Sequence, residues 1–353
     1  MRKIIILGLI FFAASLSAQR VSNAAFQQSG KQVEITYSLD KQADITVYVS
    51  TDGGKTYGNA LTAVTGDVGK QVAAGTNKRI VWSPLEERER LVSDNVVFKI
   101  VPSGGEKLTF TVGGVSFIMI KVEGGTFTMG ATSEQGTDAA SDEKPTHSVT
   151  LSDYYIGQTE VTQGLWKAVM GTTVRQQRDK ADKSWPLRGE GNNYPMYYIN
   201  WEECQAFVNK LNSLLFSQLV GRRFALPTEA QWEYAARGGK KSKGYKYSGS
   251  NTLSSVAWYD DNSGSSTHTV ATKSANELGL YDMSGNVCEW CQDWYGDYSS
   301  GSQSNPSGPS SGSARVGRGG GWRFNARNCR VSYRNYFTPT DRGHNLGFRV
   351  VLL

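Results

Sequence analysis

Histidine and cysteine are scarce in this sequence, with 3 and 4 copies in 353 residues. His147, His268 and His344 lie far apart and form no H-x-x-x-H pair. A three-histidine iron or zinc centre would have to gather every one of them, so none is expected. Proline is sparse as well, at 9. Past the first 18 residues no stretch offers the ~20 apolar residues that a membrane crossing requires. P-loop, dinucleotide and G-x-S-x-G patterns are absent, which leaves kinase, dehydrogenase and hydrolase readings without a motif. The net charge of +6 is too weak an imbalance to imply nucleic acid. What is abundant is glycine, 39 residues or about 11% against a typical ~7%, together with 9 Trp, 17 Tyr and 13 Phe. Such a chain turns tightly and can bury a large core, which excludes a mainly disordered protein.

Residues 1–18 read as an export signal. Arg2 and Lys3 supply the positive start, Ile4 to Ala14 the apolar run, and Ser15-Leu16-Ser17-Ala18 a small-residue cleavage site. Cleavage leaves 36 basic against 32 acidic residues. The expected location is outside the cytoplasm: periplasm, cell surface or medium.

Residues 19–103 read as a small immunoglobulin-like β-sandwich. Val33, Ile35, Tyr37 and Leu39 alternate with polar residues, as do Ile45, Val47 and Val49, which predicts two half-buried strands. Thr51-Asp52-Gly53-Gly54 is a hairpin signal. Arg79 to Trp82 and Val96 to Val101 predict further strands, and a spacer or docking role is expected of the unit. Pro102-Ser103-Gly104-Gly105 reads as a linker. Beyond it the texture becomes α+β and rich in Gly and Trp. Asn200 with Glu203, and Thr228 with Gln231, are capping boxes that open two helices, and a third is expected near Thr162. The Ser- and Gly-dense stretch from Tyr298 to Ser313 reads as an exposed loop.

Cys204, Cys288, Cys291 and Cys329 permit three full pairings in an exported protein, and spacing does not choose among them. Cys288 and Cys291 have C-x-x-C spacing, but no thioredoxin-like βαβ pattern surrounds them. Ordinary disulfides or buried thiols are expected, and Cys204 falls on the apolar stripe of its helix. The segment Gly285-Asn286-Val287-Cys288-Glu289-Trp290 sets an amide oxygen and a carboxylate three residues apart in a bend. Hard oxygen donors of this kind suit calcium; a polar turn satisfied by its own backbone fits the pattern equally.

An ordered set of motifs runs through the rest: Gly124-Gly125-Thr126-Phe127-Thr128-Met129-Gly130, Glu160-Val161-Thr162-Gln163, Leu226-Pro227-Thr228-Glu229 continuing to Gly239, Leu278 to Val287, Arg318-Gly319-Gly320-Gly321-Trp322, and Asn345-Leu346-Gly347-Phe348-Arg349-Val350. This set, over residues 115–353, resembles the formylglycine-generating enzyme (sulfatase-modifying factor) family. The resemblance implies an irregular α+β domain related to C-type lectins. It also implies that Gly285, Asn286, Val287 and Glu289 bind calcium. Family enzymes oxidise a sulfatase cysteine with copper held between two cysteines in a C-x-x-x-x-C arrangement. Aligned without gaps from Gly319-Gly320, the second cysteine falls at Cys329, the first at Phe324, and the family's serine at Gly321. A benzyl ring donates no thiolate, so copper is not expected, and Cys329 is the one catalytic candidate should the chain be an enzyme.

The final segment suggests recognition instead. Arg323, Phe324, Asn325, Tyr336, Phe337, Arg342 and His344 are interleaved with framework residues, and aromatic and arginine side chains with polar neighbours are typical of binding hot spots. For Trp322 and Tyr333 a core position is equally expected. The expected partner is a protein or glycan ligand. The alternatives are an oxidase acting on an exported sulfatase and a structural component of a cell-surface assembly.

Overall fold

The computed structural model describes residues 4–6, 21–40, 42–87, 91–103, 107–219 and 221–353. The expected leader lies outside them except for Ile4–Ile6, which pairs in parallel with Leu91–Ser93. Gly104 and Gly105 of the expected linker also lie outside them. The chain divides into two compact units, residues 1–109 with 217–221 and residues 110–216 with 222–353.

In the first unit the alternating residues do what their period demands. Val33, Ile35, Tyr37 and Leu39 all turn inward from the strand Gln32–Leu39 and are buried. They meet Val47 and Val49 of Ala43–Ser50, Ile80 and Trp82 of Gly75–Trp82, and Phe98 in one apolar core. A four-stranded sheet (Val21–Ser29, Gln32–Leu39, Gly75–Trp82, Val64–Gly66) and a three-stranded sheet (Gly69–Val72, Ala43–Ser50, Val97–Ser103) contribute to it. The turn at Thr51 to Gly54 departs from the expected hairpin. Asp52 Oδ1 accepts the amides of Lys55 and Thr56, so the turn is satisfied locally and imposes no pairing on the residues after it. Ala43–Ser50 pairs instead with the more distant Gly69–Val72 and Val97–Ser103.

The second unit is α+β and sheet-rich. Val115–Val122, Tyr154–Gly157, Val351–Leu352 and Phe224–Ala225 lie side by side in one sheet. A second sheet orders Arg334–Phe337, Arg315–Arg318, Cys288–Trp294 and Leu346–Gly347. The capping boxes open the helices Trp201–Leu214 and Glu229–Ala236 as predicted, and Thr162 caps Gln163–Met170. Val174–Ala181 is an additional helix with its own box at Thr173 and Gln176. Within the expected loop after Tyr298, Gln303–Ser304 pairs in parallel with Val149 and Thr150.

Charge is buried in this unit in matched form. Glu229 takes Arg334 at 2.7 Å, Glu143 takes Arg330 at 2.5 Å, Glu233 takes Arg318, and Glu289 takes Arg349 at 2.6 Å. A buried guanidinium without a counter-charge is strongly destabilising, so each arginine requires its carboxylate. At Glu229 and Glu143 burial works to raise the carboxyl, and the facing arginines outweigh it, holding both below the usual range. Glu229, Glu233, Arg318 and Arg349 of the sequence motifs are therefore struts of the fold.

Candidate ligand-binding site

The strand Arg334–Phe337 and the segment after it carry most of the polar aromatic residues. Successive side chains on a strand point to opposite faces, which separates Tyr336 from Phe337. Tyr336 is 58% exposed, with its ring 4.7 Å from that of Tyr295. Phe337 packs across Trp290 at 5.6 Å. It then lines an open hollow of about 520 Å³ with Arg342, Lys180, Trp185, Asp341 and Asn345.

Tyr198 organises the rim. It holds φ at +60°, a conformation rare for an aromatic residue and costly without support. Its N–H donates to Gly343 O at 3.0 Å, and its carbonyl accepts from Arg342 Nη1 at 3.0 Å. The phenol donates to Pro186 O at 2.9 Å. The 185–198 segment is thereby tied to the 342–344 segment. From the hollow a row of rings runs through Trp185 and Tyr198 (5.7 Å) to His344 (6.2 Å) and on to Trp322 (5.2 Å). Trp185 is 39% exposed, so the row opens to solvent at the hollow.

Arg342 and Lys180 share the carboxylate of Glu203, at 2.5 and 2.7 Å. Burial works to raise Glu203, and these two cations outweigh it and keep the carboxyl below the usual range. Arg323 is exposed and donates to His344 Nε2 at 3.0 Å. Burial first, then the charges of Arg323 and Arg188, push His344 down to about 4 from 6.5.

The predicted binding residues thus separate into groups. Phe337, Arg342, His344 and Arg323 belong to the hollow and its rim. Tyr336 stands on the opposite face of its strand. Asn325 is exposed before the short turn Ala326–Cys329. Phe324 is half-buried and packs with Cys329 against Tyr247, Leu253, Val256 and Ala257. Trp322 is 5% exposed, in keeping with a core position that contributes one edge. The sequence pattern passed over Trp185, Arg188 and Tyr198. A tryptophan among Lys183, Ser184 and Pro186, in a polar stretch, was the available signal.

Copper finds a poor set of donors here. Cys329 is fully buried, and burial pushes its thiol up to about 12, so it carries a proton at neutral pH, whereas the thiolate is the ligand and nucleophile. All four cysteines are free and buried. Phe324 and Gly321, which the ungapped reading sets against a cysteine and a serine, are neighbours in space, with a Cβ built on Gly321 lying 3.4 Å from the Phe324 ring.

The residues named for calcium also fit poorly as arranged. Asn286 Oδ1 accepts from His268 N at 2.9 Å, and its Nδ2 donates to Glu160 Oε2 at 2.8 Å. Glu289 gives Oε1 to Arg349 Nη2 and Oε2 to Arg349 Nε, both at 2.6 Å, and Oε2 also accepts Trp232 Nε1–H at 2.7 Å. Among the described residues no group of three or more His, Cys, Asp and Glu side chains is placed to hold a metal ion.

Comparison with known proteins agrees with this architecture. Residues 116–352 match the sulfatase-modifying factor enzyme 1-like domain. Over 270 residues the chain is 35% identical to the chaperone protein LppX of Paenibacillus barcinonensis, covering 67% of this chain and 90% of that protein. It is 29% identical over 287 residues to the formylglycine-generating enzyme of Streptomyces coelicolor, covering 65% of this chain and 87% of that protein. The solved structure of Treponema denticola variable protein 1 matches at a TM-score of 0.59 and 36% identity, over 70% of this chain and 99% of that one. No helix among the described residues is long and apolar enough to cross a membrane.

Proposed function

Because the chain belongs to the family defined by the sulfatase-modifying factor enzyme 1-like domain, we propose that it is an exported member that binds a protein or glycan ligand through the hollow beside Phe337. The observation that carries this reading is the open hollow of about 520 Å³ continued by the ring row from Trp185 to Trp322. Aromatic and arginine side chains at a rigid, partly exposed rim supply contact area at low ordering cost. Export is supported by the leader-like residues 1–18. The two-sheet unit, with seven strands around one core, is read as immunoglobulin-like and as the spacer or docking element.

Copper oxidation of a sulfatase cysteine is the weaker reading for this chain. It needs a thiolate pair, and the ungapped alignment sets Cys329 at the second cysteine and Phe324 at the first. Calcium is the weaker part of the reading, because Asn286 Oδ1 accepts from His268 N and both Glu289 oxygens face Arg349.

Two assays on the full chain decide between these. Binding to peptide and glycan arrays is expected, and Trp185→Ala and Phe337→Ala should each reduce it at least about tenfold, as hot-spot truncations do. Incubation with a Cys-x-Pro-x-Arg peptide, Cu(I) and oxygen should leave the peptide mass unchanged. Aldehyde formation, or array binding indifferent to both substitutions, would overturn the proposal.

A further inference from the structure

Among the described residues two guanidinium groups at the rim, those of Arg188 and Arg323, form no ion pair. Among the described residues Arg323 makes one side-chain hydrogen bond, to His344 Nε2 at 3.0 Å. Arg188 lays its guanidinium 5.7 Å from the Trp322 ring and reaches Ser265 O only at 3.5 Å. Its Nε is buried and has no hydrogen-bond partner. Arg315 of this unit also has a buried Nε without a partner among the described residues, but it lies between the Trp201 and Trp294 rings, and Arg327 donates to Asp138 O. Arg188 and Arg323 differ in that both bear on His344. Buried Arg318, Arg330, Arg334 and Arg349 each hold a carboxylate. Exposed Arg175 holds Glu190 at 2.9 Å, and Arg342 holds Glu203.

The unpaired charges are also held in place. Arg188 N donates to Tyr197 Oη at 2.7 Å, and its carbonyl accepts from Thr267 N at 3.1 Å. Gly189 comes next at φ +95°, where a Cβ would collide with Thr267 Oγ1, so the backbone after Arg188 lies close against Thr267. His344 stands within the field of both arginines, which disfavours its charged form. With Nε2 accepting from Arg323, its ring proton sits on Nδ1 as a further donor. A buried Nε–H without an acceptor costs free energy, and a planar guanidinium fork matches the oxygens of a carboxylate, sulfate or phosphate group.

We propose that Arg188 and Arg323, with His344 between them, form a subsite for an oxyanion carried by the ligand. This rests on the reading of the rim as a binding face, and it adds that the ligand is anionic. The aromatic row supplies contact area, and the two arginines select for a negatively charged group at its Trp322 end.

The test uses the full chain and small probes. Sodium acetate, sulfate and phosphate are titrated at constant ionic strength set with chloride, following the His344 ring resonances and tryptophan fluorescence. Saturable binding in the millimolar range is expected from at least one probe. Arg188→Ala and Arg323→Ala should each weaken it roughly tenfold, the scale of one charge-assisted contact. Arg175→Ala, which removes a charge that Glu190 already neutralises, should leave it unchanged. A response identical to that of chloride, or equal in all three variants, overturns the subsite. Preference for acetate assigns a carboxylate such as an acidic side chain, and preference for sulfate or phosphate assigns a tetrahedral ester. The binding face is judged separately on the arrays with Phe337→Ala. Loss there without any effect of the arginine variants removes the subsite and leaves the face standing.

Discussion

Glu289 and Arg349 form a two-bond fork, 2.6 Å on each arm, between side chains that are both 0% exposed. Arg349 spends its remaining donors on Gly157 O at 2.9 Å and Tyr281 O at 3.0 Å. One guanidinium thus joins the strand Cys288–Trp294, the edge of Tyr154–Gly157 and the bend before Gly285. Within the motif that reads as a metal loop, Glu289 holds an internal cation, the Arg349 guanidinium.

Glu289→Gln tests that assignment. It leaves the Arg349 charge buried without an anion, and breaking such a pair costs about 3–5 kcal/mol. Urea denaturation should show a lower midpoint at unchanged slope. A midpoint within error of the parent would mean that Glu289 is not neutralising Arg349.

Asp293 makes a pH-dependent contribution of the opposite kind. Burial first, and then the neighbouring Glu229 charge, push its carboxyl up to about 8 from 3.8. The folded state therefore binds more protons than the unfolded state between these values. The resulting stability is complete below about pH 4 and is lost as the pH rises through about 8. Asp293→Asn keeps an oxygen to accept the Glu229 amide that Asp293 Oδ2 now accepts at 3.0 Å, and it removes the titration. Chemical denaturation at steps from pH 4 to 8 should show a shallower fall in the variant. Parallel curves would exclude the raised carboxyl.

The parts legible in the sequence are those with local causes. Asn200 with Glu203 and Thr228 with Gln231 satisfy their own helix starts, so four adjacent residues suffice to place them. Val33 to Leu39 needed only the period of two. Val174–Ala181 escaped because Val174 and Gln177 are its buried positions, too few for an apolar stripe. The ion pairs were illegible for a different reason. Glu143 and Arg330 stand 187 positions apart, and nothing in either neighbourhood announces the other. Sequence separation likewise hid the rim of the hollow, where Trp185 and Tyr198 are brought to His344 from more than about 140 positions away by a backbone turn at positive φ. Tyr336 and Phe337 looked equivalent as neighbours, and the pleat of the strand sends them to opposite faces.

Gly320 carries a backbone prediction. Its φ is +72°, and a Cβ there would sit 2.7 Å from both Asn328 O and Cys329 Sγ. Gly320→Ala adds conformational strain to an overpacked contact, each on the order of 1–3 kcal/mol. A loss of at least about 2 kcal/mol in thermal or chemical unfolding is expected. A neutral substitution would show that Asn328 and Cys329 have room to move.

His344 offers a direct measure of the field at the rim. Burial is the larger cause of its lowered value near 4, and Arg323 and Arg188 add to it. The unfolded chain, with an ordinary value of 6.5, binds more protons than the folded chain between the two. The contribution of this group to stability is complete above about pH 6.5 and declines as the pH falls toward 4. An NMR titration of the His344 ring should find its midpoint well below 6.5. Arg323→Ala should move it upward without restoring 6.5, since burial persists. A midpoint in the parent close to 6.5 would mean that solvent reaches the ring and screens both arginines.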